Sequence, residues 1–286
     1  MIFREKDLTN IPAPLQSNNS IDEINESVRS TSDCYSDNYY GHEEVRDALN
    51  TIYHGKCCYC ERKPESILQI EHYRPKGRIT SVSPTGYYWM GNEWSNLMLA
   101  CDTCNNKKRS KFPLVDENNV RTHPVGVNGD FDISQVSSDS FHLSQEDPLI
   151  ISPEIVDPSD YLTINELGHY EAIDAGDHGK LTIRYLGLNR DSYVFRRQSI
   201  IDSIIDDIND QTYERYHPID PLTPEQYRRQ LNIIFKKLIE RTHDDIEYNM
   251  LGNCMIEKFE EIILEDIEEE FRSDILDSFI DFLERL

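Results

Sequence analysis

The chain has 286 residues, of which 53 are acidic and 29 basic, so its formal net charge is −24. Hydrophobic residues make up 38% of it, which excludes an intrinsically disordered polymer and provides for a sizeable core. No apolar run reaches about 18 residues and the first residues do not resemble a signal peptide, which predicts a cytoplasmic protein without a membrane span.

Residues 1 to 42 are predicted to form an N-terminal extension. The segment is rich in Ser, Asn, Asp and Pro and has little periodicity, so we expect it to be loosely packed. The pattern changes at residue 43. Apolar side chains then recur three and four residues apart up to residue 53, which predicts a helix.

Four of the seven cysteines form two Cys-x-x-Cys pairs, Cys57/Cys60 and Cys101/Cys104, with forty residues between them. Two such pairs supply the four thiolates of a tetrahedral zinc site. A structural Zn²⁺ is therefore predicted at the base of the forty-residue insert. The insert is long enough to carry a structure of its own.

Polar residues of the kinds that catalyse reactions and bind metal ions lie within and just after this insert. A strand predicted at 67 to 73 contains Glu71 and His72, and Asn96 precedes a second strand predicted at 97 to 100. Asn105 follows the last cysteine in a helix predicted at 102 to 109. Each residue has a structural interpretation when taken singly: a surface acid, a capped histidine, a turn residue and a cap residue. Their combination inside a zinc site favours a functional one.

Basic residues concentrate in the same stretch. Residues 51 to 112 carry a net charge of +5, so the rest of the chain carries −29. An acidic surface repels nucleic acid, and only this stretch is predicted to contact phosphate groups. The predicted contacts are Arg74, Lys76, Lys107, Lys108, Arg109 and Lys111.

The remaining chain divides in two. Residues 116 to 179 are predicted to be a loop-rich connecting region with short strands near 149 to 152 and 161 to 164. Residues 180 to 286 are predicted to be an acidic helical region suited to docking a partner, with helices at 192 to 208, 224 to 243, 253 to 267 and 273 to 283. The predicted fold class is α+β, with a core at 43 to 115 that the zinc site stabilises and a mainly α-helical C-terminal region.

The motifs together resemble a known superfamily. Cys-x-x-Cys, an acid–His pair, Asn, and Cys-x-x-Cys-Asn followed by basic residues resemble the HNH nucleases of the ββα-metal fold. The interval of nine residues between Asn96 and Asn105 fits that motif. The segments KCCYCE, IEHYRPKG and YYWMGNEWSNLMLACDTCNNKKRSKFPL are more specifically similar to PtuB, the HNH subunit of Septu and retron-associated anti-phage systems.

The resemblance implies a role for each polar residue. His72 would be the general base that activates water, and Asn96 would hold the loop that orients it. Glu71 and Asn105 would bind a catalytic Mg²⁺ or Mn²⁺, because oxygen ligands suit these hard ions. Two departures stand out, since Glu71 stands where Asp is commoner and Asn105 where many members have His.

The resemblance also implies a biological setting. The chain would be a metal-dependent endonuclease, the effector subunit of an anti-phage complex with a PtuA-like ATPase in a hetero-oligomer. The alternative is a module that is stabilised by zinc and binds nucleic acid or protein without catalysis. An adaptor with a degenerate nuclease and an active acidic tail is the third possibility.

Overall fold

A computed structural model describes residues 1–80 and 82–286. The chain is of mixed α+β class and divides into two compact units. Unit 1 comprises Met1–Leu162 and Ala172–Leu188, and unit 2 comprises Thr163–Glu171 and Asn189–Leu286. None of the helices formed by the described residues combines the length and the apolar character that crossing a bilayer requires.

A two-stranded antiparallel sheet followed by a short helix lies at the centre of unit 1. Strand β1 (Gln69–His72) pairs with β2 (Leu97–Ala100), in a register that sets His72 opposite Leu97. Helix α3 (Asp102–Lys108) begins directly after β2 and contacts β1. Every residue of β2 is buried, which explains its continuous apolar sequence.

The N-terminal residues are more ordered than predicted. Helix α1 (Asn18–Ser30) is capped by the Ser17 hydroxyl, which accepts from the backbone N–H of Ser20. Near the start of the chain, the buried Lys6 ammonium donates to the carbonyl oxygen of Trp94 at 3.0 Å and pairs with Glu154 at 2.8 Å. Helix α2 (Glu43–Tyr53) has the predicted bounds, with an apolar face that is buried.

Aromatic side chains fill the core of unit 1. The rings of Tyr73, Tyr87 and Phe112 pack edge to face, and Trp89 is fully buried against Tyr87. Helix α4 (His178–Leu186) contacts α3. The strand predicted at 149 to 152 is absent from the described structure, because the backbone N–H of Ile151 there donates to a side chain on α4 rather than to a neighbouring strand.

Unit 2 contains most of a short hairpin formed by β3 (Leu162–Ile164) and β4 (Tyr170–Ala172). The turn residue Gly168 has a φ of 72°, and a Cβ there would lie 2.9 Å from the backbone nitrogen of Gln198. The buried Arg197 guanidinium donates to the carbonyl oxygen of Gly168 and stacks on Tyr170. A glycine is therefore required at this turn.

The rest of unit 2 is helical. Its core is apolar, and Phe259 stacks on Phe279 with ring centroids 3.9 Å apart. The region predicted as one helix at 253 to 267 is broken at Lys258, so that Ile262, Ile263 and Leu264 are all buried. The elements are α5 (Asp191–Arg215), α6 (Pro224–Glu240), α7 (Asn249–Glu257), α8 (Phe259–Ile262), the 3-10 turn Leu264–Asp266 and α9 (Glu269–Leu283).

Candidate functional site

The four predicted cysteine ligands converge. The Sγ atoms of Cys57, Cys60, Cys101 and Cys104 all lie within 4.8 Å of one another, and all four residues are buried. The Cys60 and Cys101 sulfurs are 3.8 Å apart, the separation expected at about 2.3 Å per Zn–S bond in a tetrahedron. The cluster is positioned to bind a metal ion and is consistent with structural zinc.

Local backbone geometry presents these thiols. After the first pair, Glu61 adopts a φ of 61°, which turns the chain so that the backbone N–H of Cys57 donates to the carbonyl oxygen of Arg62 at 2.9 Å. In the second pair, the Cys101 sulfur caps α3 by accepting from the backbone N–H of Cys104. Burial raises the pKa of the Cys57 and Cys60 thiols, and a bound cation would oppose this effect by stabilising the thiolates.

Asn96 connects the end of β1 to the following loop through hydrogen bonds. Its Oδ1 accepts from the backbone N–H of Arg74 at 2.7 Å, and its Nδ2 donates to the carbonyl oxygens of Arg74 and Met90 at 2.9 and 3.1 Å. The side chain is fully buried with these contacts made. Asn96 thus holds two backbone segments that flank His72.

His72 is held in one tautomer. Its Nε2 lies 2.8 Å from the carbonyl oxygen of Gly91, and because a carbonyl oxygen only accepts, Nε2 carries the proton and donates. The lone pair of the neutral ring is therefore on Nδ1. Burial lowers the pKa of His72 to about 4, partly offset by the Gly91 contact, so the ring is neutral at physiological pH.

Glu71 faces the other side of β1. Its buried carboxylate pairs with the Lys108 ammonium at 2.6 Å and accepts from the Tyr59 hydroxyl at 3.4 Å. Lys108 also donates to the carbonyl oxygen of His72 at 2.9 Å, which ties α3 to the end of β1. Burial raises the pKa of Glu71, and Lys108 and Tyr59 oppose that shift.

Asn105 lies one helical turn before Lys108 on α3. Its Nδ2 donates to Oε1 of the exposed Gln69 at 2.8 Å. The two oxygen ligands implied by the resemblance, Glu71 and Asn105, therefore contact different partners in this arrangement, Lys108 and Gln69. Sequence reasoning missed the Lys108–Glu71 pair, since no local pattern distinguishes a buried lysine from a solvated one.

The predicted phosphate contacts differ in exposure. Lys107 and Arg109 are exposed, and Lys111 is half-buried with its ammonium on the carbonyl oxygen of Lys107. Lys108 is fully buried, and so is Arg74, whose guanidinium pairs with the buried Glu146 at 3.0 Å. These two side chains do not reach the surface, so the phosphate contacts predicted for them are not available in this arrangement.

Lys76 and the ring of His72 are covered by a segment that sequence reasoning did not connect with the site. We call residues 33 to 40 the N-terminal cover. The ring of Tyr40 packs edge-on against His72 with centroids 4.8 Å apart, and Asp33 pairs with Lys76 at 2.7 Å. The cover has no periodicity and lies far from β1 in the chain, so no sequence signal indicated the contact.

Two curated proteins are similar to this chain. It is 29% identical over 173 residues to a Septu protein PtuB of Bacillus mycoides, a match that covers 58% of this chain and 53% of that protein. It is 23% identical over 159 residues to a Septu protein PtuB of Bacillus thuringiensis, covering 50% of this chain and 59% of that one.

The chain spans somewhat more than half the length of these relatives. No family model matches it, and no solved structure matches it significantly. Similarity to two PtuB proteins, together with a buried four-cysteine cluster, identifies what the chain resembles: it is similar to the Septu protein PtuB.

Proposed function

We propose that the chain is an endonuclease of the HNH type, the effector of a Septu-like anti-phage complex. The substrate would be a nucleic-acid phosphodiester, with His72 as the general base. The similarity to PtuB proteins supports the defence setting. The arrangement of His72 supports the chemistry.

The single observation that carries the proposal is the Nε2 contact of His72. A histidine that donates from Nε2 to the carbonyl oxygen of Gly91 presents Nδ1 as its only basic atom. Because burial lowers its pKa to about 4, the ring is neutral at physiological pH and Nδ1 carries no proton. Every neutral histidine has one basic ring nitrogen, and the contact with Gly91 fixes which nitrogen that is.

The surrounding residues would keep this base in position. Asn96 holds the backbone on both sides of it, and Lys108 holds the carbonyl of His72 itself. The exposed Lys107 and Arg109, at the end of α3, would contact the phosphate backbone. His72 would take a proton from the attacking water, a new P–O bond would form as the bond to the ester oxygen breaks, and a second water molecule would protonate that oxygen.

The catalytic Mg²⁺ or Mn²⁺ is an expectation that rests on the resemblance. The residue types fit a hard ion, since Glu71 and Asn105 both offer oxygen. Their arrangement does not, because the Glu71 carboxylate is buried in an ion pair with Lys108. A divalent ion at Glu71 would have to displace that ammonium, and no step of the mechanism above depends on it.

A partner is part of the proposal. The resemblance implies a PtuA-like ATPase, and the acidic helical region would supply its docking surface. Residues 180 to 286 carry many more acids than bases, which suits contact with a protein better than contact with nucleic acid. We expect weaker cleavage by the isolated chain than by the complex.

The test is a cleavage assay on DNA and RNA, single- and double-stranded, with Mg²⁺ or Mn²⁺, for the chain alone and with its ATPase. His72→Ala should lose roughly 10²–10⁴-fold in rate, the usual contribution of a general base. His54→Ala, at an exposed histidine, is the matched control. Zinc content and folding should be unchanged in both. Full activity of His72→Ala would refute the proposal.

A non-catalytic module is the second candidate, and the buried Glu71–Lys108 pair favours it. In that case Glu71 has a structural role, and the exposed basic residues bind nucleic acid or protein without contributing to catalysis. The same assay separates the two: binding of nucleic acid without cleavage, by the chain alone and with its ATPase, would support the module.

A further inference from the structure

The N-terminal cover holds Lys76 through its charge. Both carboxylate oxygens of Asp33 accept from the Lys76 ammonium, at 2.9 and 2.7 Å. The same ammonium lies 5.3 Å from the ring centroid of Tyr40 and 5.9 Å from that of Tyr35. The cover therefore surrounds a lysine that follows the proposed catalytic strand by four residues.

The cover also closes over the proposed base. The ring of Tyr40 stands at 73° to that of His72, and the ring of Tyr35 packs directly on Gly91. A Cβ at Gly91 would lie 2.2 Å from the Tyr35 ring. Since Gly91 is also the residue whose carbonyl holds His72, the cover touches both partners of that hydrogen bond.

The attachment of the cover depends on side chains. Residues 33 to 38 form no helix or strand, and residues 39 to 42 form only a turn closed by the backbone bond from His42 to Tyr39. The Asp33–Lys76 pair is partly exposed, with side-chain exposures of 33% and 20%. A partly exposed ion pair contributes little stability, so Asp33 leaves Lys76 at small cost. The cover is also held to α1, where Ser36 donates to Glu23 and the backbone N–H of Cys34 donates to Ser27.

We propose that the cover occupies the place of a substrate phosphate beside His72, and that nucleic acid displaces it. The Asp33 carboxylate is a singly charged oxyanion on Lys76, the same chemistry that a phosphodiester oxygen would offer there. A nucleic-acid strand carries several phosphates that can also contact exposed basic residues such as Lys107 and Arg109, whereas the cover brings one carboxylate to Lys76. The inference rests on the proposed function in naming a phosphodiester as the competitor.

The first test measures access to His72 without requiring cleavage. Diethyl pyrocarbonate labels accessible neutral histidines, and mass spectrometry reads the His72 peptide with the exposed His54 as internal reference. Asp33→Asn and Tyr40→Ala should each speed labelling of His72 several-fold and leave labelling of His54 unchanged. Asp22→Asn removes the same charge from an exposed site on α1 and should have no effect.

The second test asks whether nucleic acid moves the cover. A short DNA duplex, or an RNA of the same sequence, is added without Mg²⁺ or Mn²⁺, and hydrogen–deuterium exchange is followed at residues 33 to 41. Exchange there should rise several-fold with nucleic acid. Lys76→Ala removes the partner of Asp33, so exchange at these residues should already be raised in the absence of nucleic acid.

Two results would overturn the inference. One is wild-type labelling of His72 in both Asp33→Asn and Tyr40→Ala, with folding confirmed by zinc content. The other is exchange at residues 33 to 41 that falls or stays constant when nucleic acid binds. Neither measurement requires cleavage of the nucleic acid. A chain that binds nucleic acid and opens its cover but does not cleave would therefore contradict the nuclease proposal and leave this inference intact.

Discussion

The region from residue 57 to 112 and the helical unit 2 are stabilised in opposite ways. The first buries polar and charged groups that are paired across the chain: four thiols, Asn96, Arg74 with Glu146, and Lys108 with Glu71. Unit 2 packs apolar side chains such as Phe259 against Phe279. Its described residues include fewer buried polar side chains, namely Thr163, Arg197, Thr212, Asn249 and Ser278.

This difference indicates which region is suited to hold a functional site. Buried polar groups cost stability unless each is paired, so a region that retains many of them holds its side chains in a unique arrangement. That is the requirement of a site with a positioned base. An apolar helical core tolerates substitution if volume is kept, and its exposed surface is free to carry charge.

The largest expected effect follows removal of the metal ion that the four cysteines are positioned to bind. Structural zinc contributes about 10 kcal/mol or more to small metal-bound folds, so a chelator or Cys101→Ser should unfold the region around the cysteines. Both tryptophans, Trp89 and Trp94, are buried in unit 1, and their fluorescence should shift to that of exposed indole. The helical circular dichroism of unit 2 should largely remain.

Cys254→Ser is the matched control, because Cys254 is a buried thiol of unit 2 outside the cluster. It should leave the tryptophan signal and the bound zinc unchanged. Loss of all helical signal on chelation would contradict the comparison, since it would mean that the zinc site supports unit 2 as strongly as unit 1.

A smaller effect is expected from the buried Arg74–Glu146 pair. Arg74→Met removes one partner and leaves Glu146 with a buried charge, which should lower the free energy of unfolding by about 3–5 kcal/mol. Urea unfolding followed by tryptophan fluorescence measures it. Changing Glu146 to Gln in the same chain should restore part of the loss.

The exposed Arg29–Glu26 pair on α1 provides the control. Their side chains are 70% and 56% exposed, so Arg29→Met should cost less than about 1 kcal/mol. Equal losses in Arg29→Met and Arg74→Met would show that buried pairing does not distinguish the region around the cysteines.

The predicted helices agree best with the structure where the apolar pattern stands out from its surroundings. Helix α2 has its predicted bounds because its buried residues recur at helical spacing. Helix α1 is not predicted, because its buried face includes Ser20 and Ser27 and the segment around it is rich in polar residues. The helix predicted at 253 to 267 is broken at Lys258, and the apolar pattern gives no signal of that break.

The candidate site also has features that the sequence predicts and features that it does not. The cysteine cluster could be predicted because the spacing of its ligands is local and zinc geometry is fixed. The contacts of Lys108 with Glu71 and of Tyr40 with His72 join side chains more than thirty residues apart. Such pairings depend on tertiary packing, and no periodicity in a single sequence encodes them.

The smallest expected effect concerns acid stability. The pKa of His72 falls from an ordinary value near 6.5 to about 4 on folding, so the unfolded chain binds the proton more tightly. The neutral ring's contribution is fully present above pH 6.5 and is lost as the pH falls toward 4. Relative to His72→Gln, the wild type should lose about 1 kcal/mol between pH 6.5 and 5.5, measured by urea unfolding with tryptophan fluorescence. Because the variant shares every carboxylate with the wild type, opposing shifts such as that of Glu71 cancel in the difference. If the difference in unfolding free energy between wild type and His72→Gln did not change with pH, His72 would be open to solvent. The contrast between a buried polar site and an apolar helical core would then not hold for the proposed base.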